Sequence, residues 1–437
     1  MKQSFGLTLI SALFLVSCST QKTIGKSAKK FLLEDETLKH AHVGISVYNS
    51  SKDKKMYQYQ ADKFFAPASN TKIVTTYAAL KYLNDSLPGV RYYENDTAVY
   101  LVPTGDPTFL HEDYTAQPVL NFLKTVNKKI YITDGNWKSN AFGQGWSWGD
   151  YNAGYSPERS PMPMYGNYLK FVKKITTAGQ LEFSATPAYF SAFTWKTDGG
   201  PNFNVQRNWK ENHFTINSGA DSSKRQDVPY VTNGIESAVA LLKDVLKKDI
   251  QVIALDKIPS KEYKTVYSQP LDSMLRPLMY RSDNFFAEQT LIMVANELTG
   301  ELNDSKGINE LRKTIYKDVP NNFRWADGSG LSRSNHFAPN DFIFILQELR
   351  NTVGMERIKN IFPHGGVGTL SGLYKEIPDK MFAKTGTLNG VVALSGFLET
   401  KKGNNIVFSL LVNNHRGDAN HVRRQFQHFI MHLYNKY

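Results

Sequence analysis

Val43, Ile45 and Val47 alternate with smaller or polar residues between His42 and Asn49, a period of two that predicts a strand. Residues 50–55 form a polar turn, and 56–65 read as the returning strand. Before this pair, residues 19–27 are polar and read as a tether, and residues 29–40 read as a helix. After it, Pro67-Ala68-Ser69 opens an apolar helical run that continues to Leu83, because proline is a normal residue at a first helical turn. From about residue 84 to residue 259 the texture changes. Gly, Pro, Trp, Tyr and Asn become frequent, apolar runs shorten to strand length, and one clear helix is expected at about 235–248. Two helical stretches then fill residues 271–298. Residues 380–388, 391–398 and 405–413 read as three consecutive strands, with Asn389-Gly390 and Lys401-Lys402-Gly403-Asn404 as their turns. A last helix is expected over about 418–434. The order is strands and a helix, a foreign insert, then helices and a meander. It describes an α/β (α+β) chain in which one sheet-and-helix domain is split by an insertion.

Length and composition narrow the classes. The 437 residues suit two or three domains, and 41% hydrophobic with 21% charged residues is globular. The 52 basic and 40 acidic residues leave a formal charge of +12. That suits an anionic partner such as a membrane surface or a cell-wall polymer, and equally suits plain solubility. There is no long Lys/Arg block, no zinc-spaced Cys/His set and no RNA-binding signature, so nucleic acid is not an expected partner. The single cysteine, Cys18, follows a basic start at Lys2 and a short apolar stretch over 7–16. That stretch is too short for a comfortable membrane span. Leu15-Val16-Ser17-Cys18 resembles a bacterial lipoprotein signal. Residues 1–17 are then a signal peptide, 18–26 a tether, and Cys18 the lipidated end of an exported, disulfide-free protein. The alternative is an ordinary signal peptide that contains a cysteine.

Ser-x-x-Lys occurs four times, at Ser19/Lys22, Ser27/Lys30, Ser51/Lys54 and Ser69/Lys72, so the spacing alone selects nothing. Only Ser69 opens an apolar helix after a proline, with Ser282-Asp283-Asn284 and Lys384-Thr385-Gly386 following in order. Ser69 and Lys72 share a helix face. A helix N-terminus favours negative charge at the serine, and burial would lower the lysine pKa, so a neutral Lys72 could take the Ser69 proton. Ser282 offers a hydroxyl for proton relay and Asn284 an amide for a substrate carbonyl. Lys384 and the Thr385 hydroxyl suit a carboxylate, and Gly386 leaves room for a peptide to lie along the strand. The backbone N–H groups of Ser69 and Thr387 suit an oxyanion hole. Each motif alone also has a plainer reading, as a helix cap, a solvated lysine or a surface hairpin.

The three motifs together resemble the penicillin-binding proteins and serine β-lactamases. Asp327-Gly328-Ser329-Gly330-Leu331-Ser332-Arg333, Gly105-Asp106-Pro107-Thr108 and Gly145-Trp146-Ser147-Trp148-Gly149-Asp150 resemble the low-mass class C branch, the D-alanyl-D-alanine carboxypeptidase/endopeptidase family. The resemblance implies a transpeptidase-like fold with an antiparallel central sheet flanked by helices and interrupted by a two-domain insert. The catalytic domain is expected at 27–85 and 262–437, one inserted domain at 86–160 with 233–261, and a nested one at 161–232. It also implies an acyl-enzyme on Ser69, peptidoglycan stem peptides as substrates, β-lactams as covalent inhibitors, and no cofactor. Asp150 is a candidate contact for a cationic group on the stem, or else a solvated loop carboxylate. A β-lactamase is the nearest rival, but the Glu-x-x-Leu-Asn of class A is missing, the middle motif is Ser-Asp-Asn and not the Tyr-x-Asn of class C, and about 210 residues separate Lys72 from Ser282. A non-catalytic wall-binding lipoprotein with the same fold is the rival from another class. His428 and His432 have i, i+4 metal spacing, with His421 near, but the chemistry needs no metal. Arg333 and His336 have no role that the residues alone supply.

Overall fold

The computed structural model describes residues 21–197 and 199–437, so Cys18 and the expected signal segment lie outside the described residues. Residues 21–28 are helical and run into a π-helical turn, Lys29–Leu33. Ile24, Ala28 and Leu32 are fully buried. Their i, i+4, i+8 spacing makes an apolar stripe that packs on the end of the chain, so residues 21–26 are a docked helix and not a tether. The expected helix over 29–40 correspondingly stops at Leu33 and gives way to turns.

β1 (His42–Asn49) pairs with β2 (Lys54–Tyr59), and α1 (Thr71–Tyr82) follows. The return strand is shorter than the 56–65 expected, because Gln60 turns the chain at positive φ. The insert begins with β3 (Ser86–Glu94), β4 (Ala98–Pro103), α2 (Pro118–Thr125) and β5 (Lys129–Ile132). It continues through β6 (Tyr168–Ile175), β7 (Leu181–Thr186), β8 (Thr194–Thr197), β9 (Asn204–Arg207), β10 (Phe214–Asn217) and β11 (Arg225–Pro229). α3 (Glu236–Leu246), β12 (Ile250–Val252) and β13 (Lys264–Pro270) complete it. β12-β5-β4-β3-β13 form one sheet, while β8-β10-β9 and β11-β6-β7 form two small ones from the middle of the insert. β13 pairs with β3, so the insert's first sheet reaches Pro270, beyond the expected boundary at residue 261. β13 runs directly into the next helix, and a single proline, Pro270, is all that marks the junction in sequence.

The chain then forms α4 (Leu271–Tyr280), α5 (Asn284–Thr299), α6 (Asp304–Lys313) and α7 (Pro339–Ile361). β14 (Met381–Leu388), β15 (Val391–Glu399), β16 (Asn405–Asn413) and α8 (Ala419–Lys436) end it. The meander closes back on the first hairpin in the order β14-β15-β16-β1-β2, antiparallel throughout. Asn389-Gly390 makes the β14–β15 turn, with Gly390 at φ +72°. Both faces of this sheet are covered. Ile45, Val47, Leu394 and Leu410 face α8 and the N-terminal helix, while Ala393, Phe397, Val407 and Leu411 face the layer containing α1, α5 and α7. Burial on both faces leaves eight of the nine β15 residues buried and removes the in-out alternation of a half-exposed strand. β14 lies at the sheet edge, and its outer side is bridged near its start, where Phe382 pairs with His364 and the Ala383 N–H donates to the Pro363 carbonyl, but joins no further strand.

A buried arginine fastens the insert to this body. Arg159 Nη1 lies 2.8 Å from Asp304 Oδ2 and 3.2 Å from Glu288 Oε2, and its remaining nitrogens donate to the Asn140 and Phe142 carbonyls. Arg159 and Glu288 are 2% and 0% exposed, so removing one partner strands a buried charge. Arg159→Met is expected to lower the unfolding free energy by about 3–5 kcal/mol, read from the denaturant midpoint. An unchanged midpoint would contradict this fastening role.

Candidate active site

Ser69 sits in a tight helical turn, Ala68–Asn70, that leads directly into α1. Neither Pro67 nor Asn70 caps the helix through its side chain. The Ser69 hydroxyl lies 3.1 Å from Lys72 Nζ, one turn on, so its partner is the lysine and the plain cap reading is not what the geometry shows. Lys72 is fully buried and also donates to Asn284 Oδ1 at 2.6 Å and to the Ser329 carbonyl at 2.7 Å. Burial lowers its pKa from the ordinary lysine value to about 8, with Asp327, Glu288 and Asp283 pulling the other way.

Asp283, and not Ser282, caps α5, accepting from the Phe286 N–H at 3.0 Å. That leaves the Ser282 hydroxyl free to face the site from a residue at φ +60°, where it accepts from Lys384 Nζ at 2.9 Å. Asn284, on the first turn of α5, donates from Nδ2 to the Tyr155 carbonyl at 2.9 Å, so one amide links Lys72 to the insert. Lys384 is fully buried on β14, and both burial and the charge on Lys72 hold its pKa well below the usual lysine range.

β14 is clamped against the Ser69 turn. The Asn70 amide nitrogen donates to the Lys384 carbonyl at 2.7 Å and its oxygen accepts from Ser395 Oγ at 2.8 Å. A Cβ on Gly386 would lie 2.7 Å from the Pro67 carbonyl and 3.0 Å from the Ser69 nitrogen, so only glycine lets the strand pass this close. Thr387 follows, exposed at the mouth, and its hydroxyl accepts from Arg423 Nη2 at 2.7 Å.

Two cavities open on either side of Ser69 and Thr387. One, of about 600 Å³, is lined by Ser282, Thr385, Arg423 and Arg424. The other, of about 530 Å³, is lined by Asn284, Asp150, Tyr155 and Arg333. The residues of the three motifs therefore converge on one cleft, with Asp150 on its far side. Burial, and after it the neighbouring Asp150 carboxylate, raises the pKa of the Tyr155 phenol.

Sequence reasoning missed the backbone of the loop over 327–333. Asp327 accepts from the Gly330 and Ser332 N–H groups at 2.8 and 2.6 Å, and from Asn335 Nδ2 at 2.7 Å. This carboxylate-centred turn aims the Ser329 carbonyl at Lys72. The signal was present, because a short acidic side chain ahead of glycine marks such turns. Gly330, at φ +86°, leaves only 1.9 Å between a notional Cβ and the Ala68 carbonyl. Gly330→Ala therefore displaces the Ser69 turn and is expected to slow acylation by a β-lactam about a hundredfold, measured by stopped flow. Arg423 and Arg424 were also missed, since nothing local links α8 to the motifs. Of the histidines, His421 pairs with Asp35 at 2.9 Å and His428 stacks on Phe31. Among the described residues no cluster of His, Cys, Asp and Glu could hold a metal.

As chemistry, the cleft offers a hydroxyl beside an amine of lowered basicity, a second hydroxyl beside a second buried lysine, and a free strand edge. Comparison with known proteins gives a consistent picture. Residues 27–433 match the model of the D-Ala-D-Ala carboxypeptidase 3 (S13) family. A D-alanyl-D-alanine carboxypeptidase DacB of Haemophilus influenzae is 22% identical, the match covering 91% of each chain. A D-alanyl-D-alanine carboxypeptidase of Actinomadura sp. (strain R39) is 25% identical over 89% of this chain and 80% of its own. The crystal structure of penicillin binding protein 4 from H. influenzae superposes with a TM-score of 0.74 at 21% identity, covering 94% of this chain and 98% of that one. A second structure of that protein is complexed with a β-lactam.

Proposed function

The chain belongs to the D-Ala-D-Ala carboxypeptidase 3 (S13) family, and we propose that it carries out serine D-alanyl-D-alanine carboxypeptidase and endopeptidase chemistry on peptidoglycan stem peptides through Ser69. The observation that carries the reading is the contact of Ser69 Oγ with a buried lysine whose pKa is about 8. The free amine of Lys72 takes the Ser69 proton as Oγ attacks the carbonyl of the penultimate D-alanine. The Ser69 and Thr387 amides hold the oxyanion. Ser282, hydrogen-bonded to Lys384, passes a proton to the leaving amine, and water then hydrolyses the ester. Asn284 holds a peptide carbonyl and Gly386 lets the stem lie along β14 as an added strand.

The cavity beside Ser282 takes the leaving residue, with Lys384, Thr385 and Arg423 around its carboxylate. The cavity on the other side takes the stem. There Asp150 and Arg333 offer one negative and one positive group, which suits a zwitterionic side-chain end at the third stem residue. β-Lactams acylate Ser69 by the same route and block it. The protein is exported and held to a membrane through a lipid on Cys18, a reading supported by the lone cysteine behind a short apolar segment. Among the described residues no helix is long and apolar enough to cross a membrane. Cys18→Ala is expected to shift the protein from the membrane fraction to the soluble one, and to abolish labelling by a fatty-acid analogue.

The test of activity is purified protein on defined muropeptides. Release of D-alanine from pentapeptide monomers and splitting of cross-linked dimers are expected. If neither occurs and fluorescent penicillin does not label the protein, it is a wall-binding protein and not an enzyme.

A further inference from the structure

Trp148 is 79% exposed and Trp209 42%, both large apolar rings left in water beside the stem cavity. They belong to one assembly. Trp148 meets Trp209 edge to face at 6.2 Å, Tyr151 meets it edge to face at 4.7 Å, and Phe142 lies parallel to it at 6.2 Å. Phe142 in turn contacts Trp146, whose Nε1 donates to Asp327 Oδ2 at 2.9 Å. The rings thus run unbroken from the loop that positions Lys72 out to the surface.

The assembly is built and braced. Trp209 lies in the turn between β9 and β10, while Trp148 and Tyr151 lie in a short helical turn, Trp148–Asn152, far away in sequence. Arg207, only 2% exposed, ties them together. Its Nη1 donates to the Asn208 and Trp209 carbonyls at 2.9 Å each, its Nη2 to the Tyr151 carbonyl at 3.4 Å, and its guanidinium covers the Tyr151 ring. Asn152 adds a two-bond pairing with the Arg207 backbone. A buried guanidinium requires such partners, and here they fix the loops that carry the exposed rings. Exposed aromatic rings held rigidly beside a cleft mark a binding surface.

We propose that Trp148 and Trp209 form a platform for the glycan strand of peptidoglycan, stacking against the apolar faces of its N-acetylated amino sugars. The inference rests on the reading of the Asp150 cavity as the stem-peptide site. Ser147 and Asp150, which flank Trp148, line that cavity, so peptide and platform are continuous. The two residues that join the third stem residue to its sugar span about 7 Å, which carries the glycan past Asp150 onto the rings. Sugar rings present C–H faces and no charge, which suits a surface of indole rings with an acidic group set back in the cleft.

The test uses the full chain and two substrates, a free pentapeptide and the same peptide carried on its N-acetylglucosaminyl–N-acetylmuramyl disaccharide. Wild type is expected to show kcat/KM about tenfold higher on the disaccharide substrate, carried by KM. Trp148→Ala is expected to bring that ratio close to one. Trp209→Ala is expected to do the same, and the rate of penicillin acylation, which involves no sugar, reports whether that less exposed position still folds. A wild-type ratio near one, or a Trp148→Ala loss that falls equally on both substrates, overturns the platform. Turnover of neither substrate by wild type is a different result, and contradicts the enzymatic reading on which the platform depends.

Discussion

Ser69→Ala is expected to abolish covalent labelling by fluorescent penicillin and to reduce D-alanine release roughly a million-fold, the loss typical of removing a serine nucleophile. The change deletes one oxygen whose contact is with Lys72 Nζ, so the folded state loses about one hydrogen bond, worth roughly 1 kcal/mol. Chemistry and stability therefore separate cleanly. Circular dichroism should match wild type while the gel band disappears. Ser27 and Ser51 open the other described Ser-x-x-Lys spacings and serve as controls. Each should keep full labelling when changed to alanine, since neither lines the cleft.

The second large effect is at Lys72. Lys72→Met removes the base and the three hydrogen bonds its ammonium makes, and is expected to cost about a hundred- to ten-thousand-fold in acylation rate. Lys72→Arg should not rescue it, because a guanidinium stays protonated and cannot accept a proton from Ser69. The pH dependence has a definite sign. Burial lowers the Lys72 pKa, so the ammonium dominates below about pH 8 and the free amine above it. The rate of acylation should rise with pH through that value and then level off. The charge on Lys72 also depresses Lys384, so neutralising Lys72 makes Lys384 easier to protonate and keeps a proton available beside Ser282. A flat profile, or one that falls as pH rises, would remove Lys72 from the base role.

The three motifs could be read from sequence because each is local and lies on or beside an element that proline, a turn or alternation marks. β1, β14, β15 and β16 showed through strand patterning and the Asn389-Gly390 turn. α7 did not. Its apolar residues, including Phe342, Ile343, Ile345, Leu346 and Leu349, spread round the helix, and Gly354 interrupts it at φ +73°, so no clean stripe appears. Pro339 at its start was the available signal. The helical part of the expected tether was misread because polar residues dominate it locally and obscure the stripe of Ile24, Ala28 and Leu32, four residues apart. Within the site, the motif side chains and the Ser69 and Thr387 amides could be named from sequence, but contacts between distant segments could not. The Ser329 carbonyl, the positive φ of Ser282 and the reach of Arg423 to Thr387 depend on segments that meet only in the folded chain.

The central claim is that Ser69 forms the acyl-enzyme. Mass spectrometry of the penicillin G adduct, by intact mass and then by peptide mapping, tests it most directly. The account predicts one added penicilloyl group per chain, located on Ser69. An adduct on any other residue, or an unmodified chain after prolonged exposure, would contradict it.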